Sequence, residues 1–436
     1  MSSQQGLSGL NAASQELDVL GNNIANVATV GYKASEIHFS DVFAASLSGS
    51  GASPIGTGVK TANIVQQFSQ GNISATNNPL DLAINGGGFF RVDINGTSHY
   101  TRNGQFQMDR NGFIVNDGGA KLSGFPVNSS GVLDPSAPGV LQISTDDIPA
   151  VATGASVGGT FQGVKASVNL DARESVLGTW ANGPATGMAT PVTTTYNYST
   201  AVTVFDSQGI PHNLTMYFEK AAANSWNVRA NVDGTTNQRV SLTPTAAGQL
   251  GGPLGFSTSG VLTTNSTISC SIDLAGVMTD LGGSNSAATP LVFDVDFTGS
   301  TQFGNTSGTN ALEQDGYSSG SFSGLGISKD GLIQGKYSNG QSRLLGQVLL
   351  ANFPNLNGLA PEGNNLWAET SASGLALLGA PTSGRFGSLQ SSSVEESNTD
   401  MTGQLVRMIT AQRNYQANAQ TIKTQDQIAQ TLINLR

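Results

Sequence analysis

The chain is predicted to be mainly β, with a helix at each end and the two helices paired as a coiled coil. Two observations carry that expectation. Apolar side chains near both ends recur at alternating spacings of three and four, whereas the long interior alternates apolar and polar residues one by one. Composition agrees: of 436 residues only 11% are charged and 55 are Gly, against a usual charged share of about a quarter. β-rich extracellular and assembly proteins have this profile, and helical globular enzymes rarely do.

At the N-terminal end Leu10, Ala13, Leu17, Leu20, Ile24 and Val27 fall on one stripe of a helix over about 4–28, the seam of a coiled coil. Gly31 is placed to end it, as glycine commonly does. At the other end Met401, Leu405, Met408, Tyr415, Ala419, Ile422, Ala429 and Ile433 trace a matching seam. That helix is predicted from about Asn398 to Arg436, with Asn398 or Thr399 as its N-cap and Asp400 and Arg436 suiting its dipole.

The far face of the first helix offers mostly Asn, Gln, Ser and Ala, with Glu16 and Asp18 its only charges. A solvated helix normally displays Lys and Glu, so a neutral polar face implies that neighbours surround it. The fourteen seam residues are therefore the predicted assembly interface. One helical hairpin buries too little to offset the ordering of its own backbone, so both ends are predicted to be disordered in the isolated subunit and to fold on assembly. A plain intramolecular antiparallel helix pair is the competing reading.

Between the ends, Leu291, Phe293, Val295 and Phe297 point one way while Val292, Asp294 and Asp296 point the other, a half-buried strand. Trp226, Val228, Ala230 and Val232 repeat the pattern, as do Leu214, Met216 and Phe218. Turn signals follow at Asp206-Ser207-Gln208-Gly209, Asp233-Gly234, Asn111-Gly112 and Asp330-Gly331. Two low-complexity zones, about 148–160 and 300–320, flank a possible inserted domain.

The net charge is −10 with no basic run, which excludes nucleic acid and anionic membrane surfaces as partners. Cys270 is the only cysteine, so no internal disulfide forms, which fits either a cytosolic chain or one exported unfolded through a narrow channel. No basic residue lies nearby to activate it. Lys33 is the first basic residue and no continuous apolar run precedes it, so a cleaved signal peptide is not expected. No stretch approaches the roughly 18 apolar residues of a membrane span.

Catalytic patterns are weak. His38, His99 and His212 lie in three unrelated segments. Gly86-Gly87-Gly88 lacks the Lys-Ser/Thr of a phosphate loop and precedes the strand-like Phe89-Phe90-Arg91-Val92, so it reads as a turn or bulge. Asp93-Ile94-Asn95-Gly96 and Asp109-Arg110-Asn111-Gly112 look like fragments of calcium loops, but no twelve-residue loop closed by Glu follows either. No cofactor, metal or catalytic residue is expected.

ANVATVGYK at Ala25–Lys33, with Asn26, Thr29, Gly31, Tyr32 and Lys33 as its distinctive residues, resembles the N-terminal motif of the axial rod and hook proteins of the bacterial flagellum. Gln404–Arg436 closely resembles that family's C-terminal helix. NGGGFFRV and YTRNGQF between Asn85 and Phe106 are similar to its core-domain signature, and Leu344–Trp367 with Ser373–Gly379 is similar to its hook branch.

The resemblance implies nested shells. Residues 1–33 and 395–436 would form an inner coiled-coil tube, 34–70 and 389–394 a connecting segment, 71–146 and 317–388 a β core, and 147–316 an outer β domain. It implies a curved tube that transmits motor torque, a homopolymer meeting the distal rod, hook cap, hook–filament junction proteins and export apparatus, and an extracellular location reached without a cleaved signal. A distal rod subunit shares both end motifs. A secreted β-rich adhesin with helical ends is the alternative from another class.

Overall fold

A computed structural model of the chain describes residues 2–42, 56–128, 131–155, 161–177, 180, 191–235, 239–244, 253–284 and 286–434. The chain divides into two compact units. One comprises Met1–Thr145, Ser323–Lys336 and Ser342–Arg436; the other comprises Asp146–Phe322 and Tyr337–Gln341.

The first unit holds both ends of the chain. Its N-terminal helix spans Ser2–Ala25 and its C-terminal helix Met401–Asn434. The first stops earlier than its periodicity suggests. The Asn26 amide donates back to the carbonyl of Asn22 (2.9 Å), so Val27 lies beyond the helix and Gly31 is released for another task. The second starts at Met401 because the Asp400 carboxylate accepts from the Thr402 N–H (3.1 Å), the work of an N-cap. Asn398, an expected cap, is engaged elsewhere.

A hairpin of Ser35–Val42 and Gly58–Gln66 follows the first helix. A larger sheet then runs in the order Phe322–Ile327, Leu332–Tyr337, Ser342–Val348, Lys121–Pro126, Phe89–Ile94, Thr97–Thr101, Leu366–Ala368 and Ala360–Gly363. The adjacent Phe89 and Phe90 point to opposite faces of their strand. Phe90 joins Val92, Leu122, Ile333 and Val348 in the main core. Phe89 joins Tyr100, Phe353 and Trp367, with Phe68 packed alongside. The outgoing and returning chain pair antiparallel, Leu82–Asn85 with Ser388–Ser391 and Ile73–Ala75 with Ser393–Glu395. Both helices therefore leave the core from the same place.

The second unit is built from two five-stranded sheets around one core. One sheet carries Val164–Asn169, Thr267–Ile272 and Leu291–Asp296; the other carries Tyr198–Phe205, Pro211–Ala222 and Ser225–Val232. The alternation read from the sequence places Trp226, Leu214, Met216, Phe218, Phe293 and Val295 inward. Asp206-Ser207-Gln208-Gly209 closes the hairpin between Phe205 and Pro211, the Asp206 carboxylate accepting from the N–H groups of Gln208 and Ile210. Cys270 is fully buried in this core, and burial pushes its thiol pKa up to about 12.

Candidate assembly site

The N-terminal helix is held on two sides. Against the hairpin, the Gln5 amide donates to Gly56 O (2.6 Å) and Ser8 Oγ accepts from Val59 N–H (3.2 Å). Against the C-terminal helix, Gly6 faces Ile422, Gly9 faces Asn418, and the Asn23 amide reaches Gln404 Oε1 (3.3 Å). Those pairings make the two helices antiparallel. Small residues allow the close approach: a Cβ on Gly9 would lie 2.7 Å from Asn418 Oδ1.

The predicted seam divides in the structure. Ala13 and Leu20 are buried, and Leu10, Leu17, Ile24 and Val27 are half-buried. On the C-terminal helix Met408, Ala419 and Ile422 are half-buried, while Met401, Leu405, Tyr415, Ala429 and Ile433 are exposed. The inward line of that helix runs instead through Gln404, Met408, Ala411, Asn418, Ile422 and Gln425, of which only Ala411 is fully buried. Val406 (60% exposed) and Ile409 (51%) add to the exposed apolar surface of Met401 and Leu405. A seam defined by apolar spacing alone missed these two.

The roots of both helices meet at one buried carboxylate. Glu395, just ahead of the C-terminal helix, accepts from Lys33 Nζ at 2.6 Å and from Arg102 Nη1 at 2.8 Å, and all three side chains are 5% exposed or less. Its Oε1 also accepts from Gly71 N–H (2.9 Å), and its backbone carbonyl from Gly31 N–H (2.7 Å). Lys33 donates a second bond to Ser69 O (2.8 Å), and Arg102 donates to the carbonyls of Ile84 and Gly86. Burial pushes both cations below their usual pKa range, while the Glu395 charge pulls them back.

Two cations facing one anion leave an excess positive charge, which peptide carbonyls and the Phe89 ring, 5.6 Å from the guanidinium, help to accommodate. Arg102 Nε is buried without a partner.

This cluster absorbs the residues of the N-terminal motif. Gly31 has φ +71°, and a Cβ there would sit 2.5 Å from Asn103 N, so only glycine lets the chain pass Arg102 and reach Glu395. Lys33 is the ion-pair partner. Tyr32 donates to Asn23 Oδ1 (3.1 Å), and Thr29 to Asn26 Oδ1 (3.2 Å). Asn23, nearly fully buried, exchanges two hydrogen bonds with the Ser35 backbone. Asn398 accepts from Ala34 N–H (2.8 Å) and donates to Gln67 O (2.6 Å). Sequence reasoning missed Glu395, Arg102 and Asn23, and read Asn398 as a helix cap instead. Their one signal was being polar in segments otherwise destined for burial.

Two histidines make ion pairs elsewhere in the chain. His99 pairs with Glu362 (2.8 Å), and His212 lies between Asp233 (2.7 Å) and Asp206 (3.5 Å). Among the described residues no cluster of His, Cys, Asp and Glu could hold a metal ion, and no helix is long and apolar enough to cross a membrane.

The first unit carries both chain ends as one antiparallel helix pair rooted on a shared carboxylate, and its class is that of an axial structural protein of the bacterial flagellum. Known proteins fix the class. Residues 4–33 match the flagella basal body rod protein family, 83–160 the flagellar hook protein FlgE/F/G D1 domain, 169–317 the flagellar basal body protein FlaE D2 domain, and 390–435 the flagellar basal body rod FlgEFG protein C-terminal family. The flagellar hook proteins FlgE of Salmonella typhimurium and Escherichia coli are each 40% identical over 439 aligned residues, covering 100% of both chains. A crystal structure of the Helicobacter pylori flagellar hook protein FlgE2 aligns with 73% of this chain and 99% of its own, at 15% identity and a TM-score of 0.49.

The chain belongs to the flagellar hook protein FlgE family and is a structural subunit of the hook.

Proposed function

We propose that the subunit polymerises through its ends, the paired helices packing against those of other copies into the inner wall of a curved tube that carries torque from rod to filament. In this reading 1–33 and 395–436 form the inner tube, 34–70 and 389–394 connect it, 71–146 and 317–388 form the β core, and 147–316 face outward. Its role is mechanical, not catalytic. Stiff inner helices carry the load, while weakly charged outer β surfaces slide as each row of subunits lengthens and shortens. Its partners would be other copies of itself first, then the distal rod, the hook cap, the hook–filament junction proteins and the export apparatus. It would work outside the cell after export without a cleaved signal peptide.

The observation that carries this reading is the apolar surface of Met401, Leu405, Val406 and Ile409, exposed on a helix whose opposite face is already paired. Such surface on a soluble chain marks an interaction site. Replacing Leu405 and Ile409 together by Ser leaves the intramolecular contact intact and should abolish tubes in electron microscopy, with the circular dichroism of the subunit unchanged. Tubes formed at parental protein concentrations would overturn the assignment.

A further inference from the structure

Within the first unit, the hairpin and the Leu356–Gly358 turn enclose an open cavity of about 240 Å³. Ile64, Phe68, Leu356 and Leu359 supply its apolar lining, with Gln66 and Asn357 polar among them. No charged residue lines it. Cavities of about 150 Å³ already accept a benzene-sized guest, so this one has room for a large aliphatic side chain.

The same unit presents such a side chain. Leu375 is 81% exposed, beside Leu377 (56%) and Leu378 (39%). The loop carrying it is braced. Ser373 is fully buried, and its hydroxyl accepts from Thr370 N–H (2.9 Å) and lies within hydrogen-bond distance of the Thr370 and Gly374 carbonyls. The Asn355 amide donates to Ala372 O (3.0 Å). Gly374 turns the chain with φ +74°, and Ala376 packs inward against the Phe353 cluster. Leu375 is thus held outward at little further entropic cost on binding, the mark of a preorganised contact.

We propose that Leu375 of one copy seats in the cavity of the next, a contact between β cores that adds to the one made by the helical ends. Residues 370–384 contain no charged side chain, so knob and hole can meet without desolvating an ion. The knob does not fill the cavity of its own chain, since it is exposed there. A knob and a distinct hole on one molecule make a heterologous contact, the kind that propagates into an open helical array rather than closing a dimer. The inference rests on the polymerisation proposed above.

The test uses full-length chains carrying L375C or N357C, polymerised separately and mixed, then oxidised. The lone natural thiol, Cys270, is buried and stays out of the reaction. A disulfide needs Cα atoms within about 4.4–6.8 Å. Cross-linked dimers are expected from the mixture and from neither variant alone. The variant L375N should also raise the protein concentration needed for tubes about tenfold, the loss of one buried leucine. Tubes without the mixed cross-link, or equal cross-linking of L375C alone, overturn the pairing while leaving the tube standing. An intact chain that forms no tubes overturns both.

Discussion

Replacing Glu395 by Gln preserves the shape of the side chain and removes its charge. In the parental protein that charge faces Lys33 Nζ at 2.6 Å and Arg102 Nη1 at 2.8 Å, all three groups out of water. The amide can offer an oxygen to one cation only, and its NH2 then confronts the other, donor against donor. Two buried cations remain without an anion. Removing one partner of a buried ion pair costs about 3–5 kcal/mol.

The unit concerned contains 254 residues, from 145 in Met1–Thr145, 14 in Ser323–Lys336 and 95 in Ser342–Arg436. At that size 1 kcal/mol shifts the melting temperature by about 2–4 °C, so the variant should melt roughly 6–20 °C lower by differential scanning calorimetry. The double variant with Lys33→Met removes one of the orphaned charges and should recover part of the loss, a non-additivity expected only of groups in contact. A shift below about 2 °C, or a double variant worse than E395Q alone by the full cost of K33M, would show that the carboxylate is not holding the joint.

Three further outcomes follow from neighbouring features. Gly31→Ala puts a Cβ against the Arg102–Asn103 peptide at a φ of +71°; the left-handed backbone alone costs about 1–2 kcal/mol, so urea unfolding should show a loss of at least that size. Gly9→Val drives a branched side chain into Asn418 and separates the two helices, so proteolysis of the assembled protein should release the C-terminal helix faster while the β units stay resistant. His212 is held above its ordinary pKa chiefly by its hydrogen bond to Asp233, with Asp206 assisting and burial opposing. A raised folded-state pKa gives stability that is complete below about pH 6.5 and lost as pH rises through the raised value. The melting temperature of the parental chain should therefore fall across that window, and His212→Gln should flatten the fall.

The fold class was legible because its signals are local. Alternation along Leu291–Phe297 and heptad spacing at both ends need only neighbouring residues to be read, and the turn at Asp206–Gly209 carries its own chemistry. The joint was not legible, because its logic is long-range. Lys33 and Glu395 stand 362 positions apart, and Arg102 comes from a third segment; nothing near any of them announces a partner. Asn398 shows the same limit from another side. Its position before a helix reads as a cap, yet in the fold it serves the backbone of Ala34 and Gln67, and Asp400 takes the cap. The outward line of Val406 and Ile409 was missed because an apolar stripe in sequence does not say which of its edges meets the partner helix.

One carboxylate shared by both ends has a mechanical consequence. If each helix were fixed to the core by its own contacts, one root could loosen while the other held. Here withdrawing Glu395 leaves Lys33 and Arg102 both buried without an anion, a cost about as large as a third of the stability of an ordinary domain. Withdrawing Lys33 still leaves Glu395 paired with Arg102, so the joint depends most on the root of the C-terminal helix. Above the roots Gly6 and Gly9 let the N-terminal helix lie close against Ile422 and Asn418 of the C-terminal helix. Under the proposed load path, torque entering the inner helices passes through this joint to the core, while bending is taken up by sliding of the outer β surfaces, so the joint keeps its geometry. Weakening the joint, as E395Q does, should then lower the torque a tube bears before it changes how far the tube bends.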